Sequence, residues 1–297
     1  MSRGTWTRRD FFRHSAVLGA AAIGGPVLLS ACQSTGSGDT LTAAKNAKTI
    51  KIGIANEAPY GYADSSGNTT GEAPEVAKAA FKGLGIDNVQ ASVVPFDQLI
   101  PALNAKQFDV VAAGMNITPT RCKAALFSNP DYSALTALLV PKGNPQGINT
   151  LQDVAAKKVQ LAVLSAAVEK GYATAAGVPD SNIQTLDTQD NMLRAVTTGR
   201  VYAAALTDIS LKYLAKQNPG AGVEVTPGFT PIENGQPVVS AGGFVFRQSD
   251  TSLRDAFNQQ LGTLHSNGQW LQIATPFGFD RNNLPNPSLT TDKLCAA

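Results

Sequence analysis

The stretch TIKIGIANEAPYGY, residues 49–62, decides the fold class of this chain. Ile50, Ile52 and Ile54 alternate with Thr49, Lys51 and Gly53, the period-two signature of a strand. The alternation stops at Asn56, and Pro59 stiffens the exit. One carboxylate, Glu57, and two aromatic rings, Tyr60 and Tyr62, gather there. A negative group beside π-faces at a rigid strand exit suits a small organic cation.

Downstream, the spacing predicts a helix over 75–84, a strand over 89–94, a short helix over 98–105 and a strand over 108–113. This βαβαβ order implies a parallel sheet with helices on its faces. A further apolar strand is expected over 134–140, before Pro141, Lys142, Gly143, Asn144 and Pro145 break the chain. A second series then alternates: helix 151–156, strand 159–164, helix 168–176, strand 183–186, helix 189–198, strand 203–206, helix 209–217 and strand 223–225. A loop rich in Gly, Pro and Asn over 227–237 leads to strand 242–246 and helices over 252–267 and 269–274. Two unequal α/β series joined by breaks near 141–145 and 227–241 make a bilobed α/β protein with two crossing strands. Its tail returns to the first lobe. The expected division is 48–141 with 237–297 in one lobe and 142–236 in the other. In such sheets ligands lie beyond the carboxyl ends of the strands, and a ligand between two lobes favours closure.

Upstream, Arg8 and Arg9 are followed by Phe11 and Phe12, and residues 15–30 are small, mildly apolar and uncharged. That run is too short and too weakly apolar to span a membrane. With the paired arginines it reads as a secretion signal of twin-arginine type over 1–31. It closes on Leu29, Ser30, Ala31 and Cys32, like a lipobox, so Cys32 is the expected lipidation site. Residues 32–47 would be a lipidated tether. The chain is thus expected on the outer face of a cytoplasmic membrane, at the surface of a Gram-positive cell or in a periplasm.

The whole chain carries +2, and removing a leader of +3 leaves about −1, with no basic surplus for nucleic acid. Roughly 260 mature residues can bury a substantial core. Of three Cys, one is the expected lipid site, leaving Cys122 and Cys295. In an oxidising exterior they are expected to pair as a disulfide; the alternative is two small buried hydrophobes.

The candidate ligand-binding residues all lie at expected strand exits: Glu57, Tyr60, Phe96, Asn116, Thr118 and Arg121 in one lobe, Val168, Glu169, Thr207 and Asp208 in the other. Arg121, at the start of a helix where its charge opposes the dipole, suits a bidentate grip on a carboxylate. Its duller reading is a surface Arg paired with Asp131 or Glu72. Ala167, Val168 and Glu169 open a helix whose backbone N–H groups can meet an anion. Tyr60 and Phe96 could instead be core rings, and Glu57 a solvated loop acid. Beyond the leader the only His is His265, so a nucleophile–His triad is not expected. No phosphate-binding glycine loop, dinucleotide fingerprint or metal-ligand spacing occurs, so neither cofactor nor metal is expected.

Several segments carry a resemblance: the strand ending at Glu57, the Thr118-Pro119-Thr120-Arg121 element, Phe127 to Tyr132 and the break at Pro141 to Asn144. Together they resemble family 3 extracellular solute-binding proteins, the polar amino acid receptors of ABC importers. More narrowly, GIANEAPYGY, GEAPEVAKAAF, LIPALNAKQFDVVAAGM, ITPTRC and AAVEKGYA are similar to the ectoine/hydroxyectoine-binding proteins. The resemblance implies a bilobed type II periplasmic-binding fold and a monomer serving an ABC permease and its ATPase, with no reaction performed. It implies a zwitterionic ligand: Arg121 on the carboxylate, Glu57 on the amidinium, Tyr60 and Phe96 facing the ring, and Glu169 with the backbone at Val168 closing the second side. Where related proteins can carry an aromatic, this chain has Asn116. Thr207 and Asp208 compete for the slot that commonly holds an ammonium. The runner-up ligand is a polar or cationic amino acid; a dehydratase or lytic enzyme on the same fold is the other class.

Overall fold

A computed structural model describes residues 39–296. The leader, Arg8, Arg9 and Cys32 lie outside the described residues. Strand Thr49–Ile54 sits within the first sheet, with Asn88–Val93 and Val110–Asn116 as parallel neighbours. Ile50, Ile52 and Ile54 are fully buried against helices Glu72–Gly83 and Thr251–Ser266, in a core that includes Phe81, Phe257 and Trp270. The opposite face packs on helix Leu99–Asn104 and Phe108. There Gly53 is obligatory for space: a Cβ would lie 2.4 Å from the Phe108 ring. The long strand Ser240–Phe246 runs antiparallel beside Val110–Asn116 and completes this sheet with the short strands Leu126–Phe127 and Tyr132–Ala134.

The second sheet repeats the plan. Leu161–Leu164 lies between Ile183–Leu186 and Ala203–Thr207, all parallel, and Thr136–Pro141 joins antiparallel with Val223–Val225 at its edge. Helices cover both faces, with Leu151–Lys157 and Glu169–Ala175 on one and Gln189–Thr197 and Asp208–Gln217 on the other. Each lobe therefore receives one antiparallel strand just after the chain has crossed from its partner.

Two expectations change. Residues 134–140 are not one strand of the first lobe: Thr136–Pro141 belongs to the second sheet, so the outward crossing is at Leu135 rather than past Pro141. The Leu135 N–H is drawn out of the ladder to the Asp208 carboxylate (3.2 Å), which breaks the run. The return crossing spans the segment from Thr226 to Ser240, where Phe229 bridges Thr136 and Ile232–Glu233 pairs with Gln236–Pro237. Lastly, residues 40–47 are not tether. They form helix Thr40–Ala47, which buries Ala44 and donates from the Thr40 hydroxyl to Asp250 (2.9 Å). A C-terminal helix that the periodicity did not predict, Thr291–Ala296, packs through Leu294 against the first lobe.

Candidate functional site

The loop after strand Thr49–Ile54 is pinned by a reciprocal pair of backbone hydrogen bonds between Glu57 and Gly61, 3.0 Å each. This hands Glu57 to the cleft and turns Tyr60 inward. Tyr60 is 1% exposed, with its ring 4.9 Å from Tyr132 and 5.6 Å from Phe279. Gly114 makes this possible. Its φ is +59°, and a Cβ there would lie 2.2 Å from the Tyr60 ring. Tyr60 is thus a core ring that also forms the floor of a small cage.

The cage lies between the lobes, walled by Glu57, Phe96 and Arg121 on one side and Val168, Glu169 and Thr207 on the other. It encloses about 20 Å³, room for roughly one water. A larger solute therefore enters by separating the lobes or displacing Arg121. Arg121 stands in the 4-residue helix Pro119–Cys122, capped by Thr118, whose Oγ1 accepts from the Arg121 backbone N–H (3.3 Å). Its guanidinium lies over Phe96, 5.3 Å from the ring centroid, and donates from Nη1 to the Asn116 carbonyl and from Nη2 across the cleft to the Ala166 carbonyl, 2.8 Å each. Neither Asp131 nor Glu72 pairs with it. Those two are buried in the first lobe, where Trp270 donates to Asp131 (2.8 Å) and burial raises both acids. Ala166 itself holds φ +57°, an uncommon conformation for a residue with a Cβ, which aims its carbonyl at Arg121.

Two carboxylates face this one guanidinium. Burial raises Glu57 to about 8, reinforced by the nearby Glu169 and offset by Ser210 and Arg121. Burial likewise raises Glu169, 2% exposed, to about 7, and one of its oxygens has no hydrogen-bond partner. Burial also lowers the Arg121 pKa from its ordinary value. The charged forms lack the water that would stabilise them, so a ligand cation between the acids restores ionisation.

A relay joins the walls. The Tyr60 hydroxyl donates to Thr207 Oγ1 (3.2 Å), Thr207 to Ser210 Oγ (3.0 Å), and Ser210 to Glu57 Oε1 (3.1 Å). Every donor in it finds an acceptor, and its members polarise one another. Ser210 was not among the sequence candidates. Its signal was available: Thr207 caps helix Asp208–Gln217 and accepts from the Ser210 N–H, so positions i and i+3 meet.

Two expected ligand contacts, Asp208 and Thr118, lie outside the cage lining, and a third, Asn116, turns its amide away from it. Asp208 faces away from the cage, toward Leu135 and Lys212, because as the first helical residue it points opposite its cap. Thr118 spends its hydroxyl oxygen on the cap. Asn116 borders the cage, but its amide donates to Ser240 Oγ (3.0 Å) and accepts from the Tyr132 hydroxyl (3.3 Å). What it offers inward is the backbone carbonyl that holds Arg121. Next to Arg121, Cys122 is bonded to Cys295, Cα atoms 5.7 Å apart, fastening the arginine's helix to the C-terminal one. Among the described residues no cluster of His, Cys, Asp and Glu suits a metal ion, and no helix is long and apolar enough to cross a membrane.

Residues 50–279 match the family model for bacterial extracellular solute-binding proteins, family 3. A probable amino-acid ABC transporter periplasmic-binding protein of Sinorhizobium fredii is 35% identical over 260 residues, 86% of either chain. The arginine-binding extracellular protein ArtP of Bacillus subtilis is 30% identical over 81% of this chain and 89% of its own. The crystal structure of EhuB in complex with hydroxyectoine superposes with a TM-score of 0.78 at 32% identity, covering 88% of this chain and all of that one.

Proposed function

The chain belongs to the bacterial extracellular solute-binding proteins of family 3 and serves an amino-acid-type ABC importer; from that premise we propose that its cage captures ectoine or hydroxyectoine and presents it to the membrane permease. The observation that carries this reading is the confrontation of Arg121, seated on Phe96, with Glu57 across the same small cage. A compact zwitterion with a delocalised cation satisfies both poles at once: its carboxylate takes the guanidinium donors from Asn116 and Ala166, and its amidinium lies at Glu57. The similarity to EhuB with hydroxyectoine supports the same solute class. Export through the paired arginines and a lipid anchor at Cys32 belong to this reading, and the intact mass of the mature protein tests the anchor.

One observation favours a second ligand, a cationic amino acid. Glu57 and Glu169 together outnumber Arg121, so a solute with a carboxylate and two cationic groups balances the cage. Titration calorimetry with hydroxyectoine, ectoine, L-arginine and L-glutamine separates the two. Tight binding of either ectoine is the expected result; binding of L-arginine alone overturns the first reading in favour of the second. A thermal shift checks it, since ligand at 100-fold over Kd adds about 2.7 kcal/mol of stability.

A further inference from the structure

Beneath the floor of the cage, out of reach of any solute, lie two acids, Glu72 and Asp131. Glu72 opens helix Glu72–Gly83 and is fully buried; Asp131 immediately precedes Tyr132 and is almost as enclosed. Their carboxyls face one another in the core of the first lobe. Three other groups meet them. The Trp270 indole, on helix Gln269–Ala274, donates to Asp131 Oδ1 (2.8 Å). His265, on helix Thr251–Ser266, sets Nε2 3.0 Å from the Asp131 backbone oxygen and 3.9 Å from Oδ1. Tyr132 brings a phenol. Among the described residues neither acid pairs with a Lys or Arg.

Neither oxygen of Glu72 has a hydrogen-bond partner. Buried acids are normally satisfied, so this exception needs a cause. Two carboxylates side by side in an apolar core would each lack water and repel the other. His265 does not supply the missing cation: its N–H goes to the backbone oxygen, and burial lowers its pKa. A single proton resolves the conflict. On Glu72 it turns one unpartnered oxygen into a donor, and Asp131 is the acceptor that faces it. Burial accordingly raises Asp131 to about 7 and Glu72 well above its ordinary value.

Both acids are tied to the two tyrosines of the floor. The Glu72 N–H donates to the Pro59 carbonyl and the Ala73 N–H to the Tyr60 carbonyl, 2.9 Å each. The fit is close: a Cβ on Gly71 would lie 2.5 Å from the Tyr60 carbonyl oxygen. On the other side, Tyr132 follows Asp131, lies 4.9 Å from the Tyr60 ring and donates its hydroxyl to the Gly114 carbonyl (2.8 Å). We infer that Glu72 and Asp131 share one proton and are positioning residues for the cage floor: the shared proton holds Tyr60 and Tyr132 in place, and its loss in alkali drives the acids apart and slackens the floor, which weakens solute capture. The consequence for capture rests on the cage being the solute site; the shared proton does not.

The folded protein holds this proton more tightly than the unfolded chain, so the pair's contribution to stability is complete in acid and lost as pH rises. The test is a titration from about pH 6 to about pH 10, followed by ¹³C NMR of ring-labelled tyrosine and by Tm. The Tyr60 and Tyr132 rings should shift together in one alkaline step, with a fall in Tm. Glu72→Gln, whose amide can donate to Asp131 at any pH, should abolish the step and keep Tm higher in alkali than the parent. Asp131→Asn should do the same from the other side. Over the alkaline half of the range the parent should lose hydroxyectoine affinity by about fivefold, the worth of one hydrogen bond at the floor, and Glu72→Gln should not. Glu57→Gln should keep that alkaline loss. Identical pH profiles in the parent and both pair variants, or floor rings that stay still throughout, overturn the inference. So does an alkaline loss that Glu57→Gln removes, because it then belongs to the cage. If the parent binds no hydroxyectoine, the reading of the cage fails, and the ring titration still decides the shared proton.

Discussion

The two walls of the cage are built from different materials. The first lobe contributes large side chains fixed by its core: Tyr60 packed on Tyr132 and Phe279, Arg121 laid over Phe96, and Glu57 on a loop pinned at Gly61. The second lobe contributes backbone and small hydroxyls: the Ala166 carbonyl, the Thr207 and Ser210 oxygens, and the single buried acid Glu169. The difference teaches a division of labour. A wall of locked side chains sets which charges a solute must carry. A wall of carbonyls and hydroxyls, which hydrogen-bond the first lobe without strong charge, lets the lobes part and meet again at modest cost.

If that division holds, the largest effect belongs to the first wall. Arg121→Ala should weaken hydroxyectoine binding by about 2–5 kcal/mol, because a desolvated charge partner is removed. Calorimetry checks this, and an affinity within threefold of the parent breaks the comparison. Gly114→Ala attacks the same wall from behind. With φ +59° and the Tyr60 ring at 2.2 Å, it should cost roughly 1–3 kcal/mol of folding stability, read by urea denaturation. The second wall should respond less. Ser210→Ala cuts the relay at its link to Glu57 and is expected to lower affinity by about 1 kcal/mol, without altering which solutes bind. A change in the solute ranking would mean that the second wall also selects.

The acids give a pH test with a definite sign. Folding raises Glu57 to about 8 and Glu169 to about 7 from an ordinary 4.5, so the closed protein binds more protons than the unfolded chain. Their contribution to stability is therefore complete below about 4.5 and is lost as pH climbs toward 8. A cationic pole reverses this by favouring the ionised acids. Solute affinity should thus rise from pH 5 to pH 8 with release of protons, measured by calorimetry in buffers of different ionisation enthalpy. Glu57→Gln should flatten most of that rise; an unchanged profile would remove Glu57 from the site.

Much of this was legible in the chain. The isoleucine alternation marks the first strand because its period survives any packing, and the second series from Leu151 follows its periodicity within a few residues. Glu57, Phe96, Arg121, Val168 and Glu169 come to one cage, as expected where strand exits in α/β sheets converge on one cleft. Leu135 was missed because a run of apolar residues looks the same whether one sheet or two receives it; only Asp208, 73 residues away, draws its N–H out of the ladder. Ser210 was missed because a small hydroxyl inside a helix has no pattern of its own.

By itself, then, the sequence determined the order of strands and helices, the bilobed α/β plan and the charges brought to the cleft, since periodicity and turn chemistry are local properties. The tertiary structure alone decided how those side chains are spent. It laid Arg121 over Phe96, turned Tyr60 into the core, sent Asp208 outward and tied Glu57 to the other lobe through Ser210 and Thr207. Those choices depend on contacts between residues well separated in the chain, from 25 positions for Phe96 and Arg121 to 153 for Glu57 and Ser210, which no local pattern records.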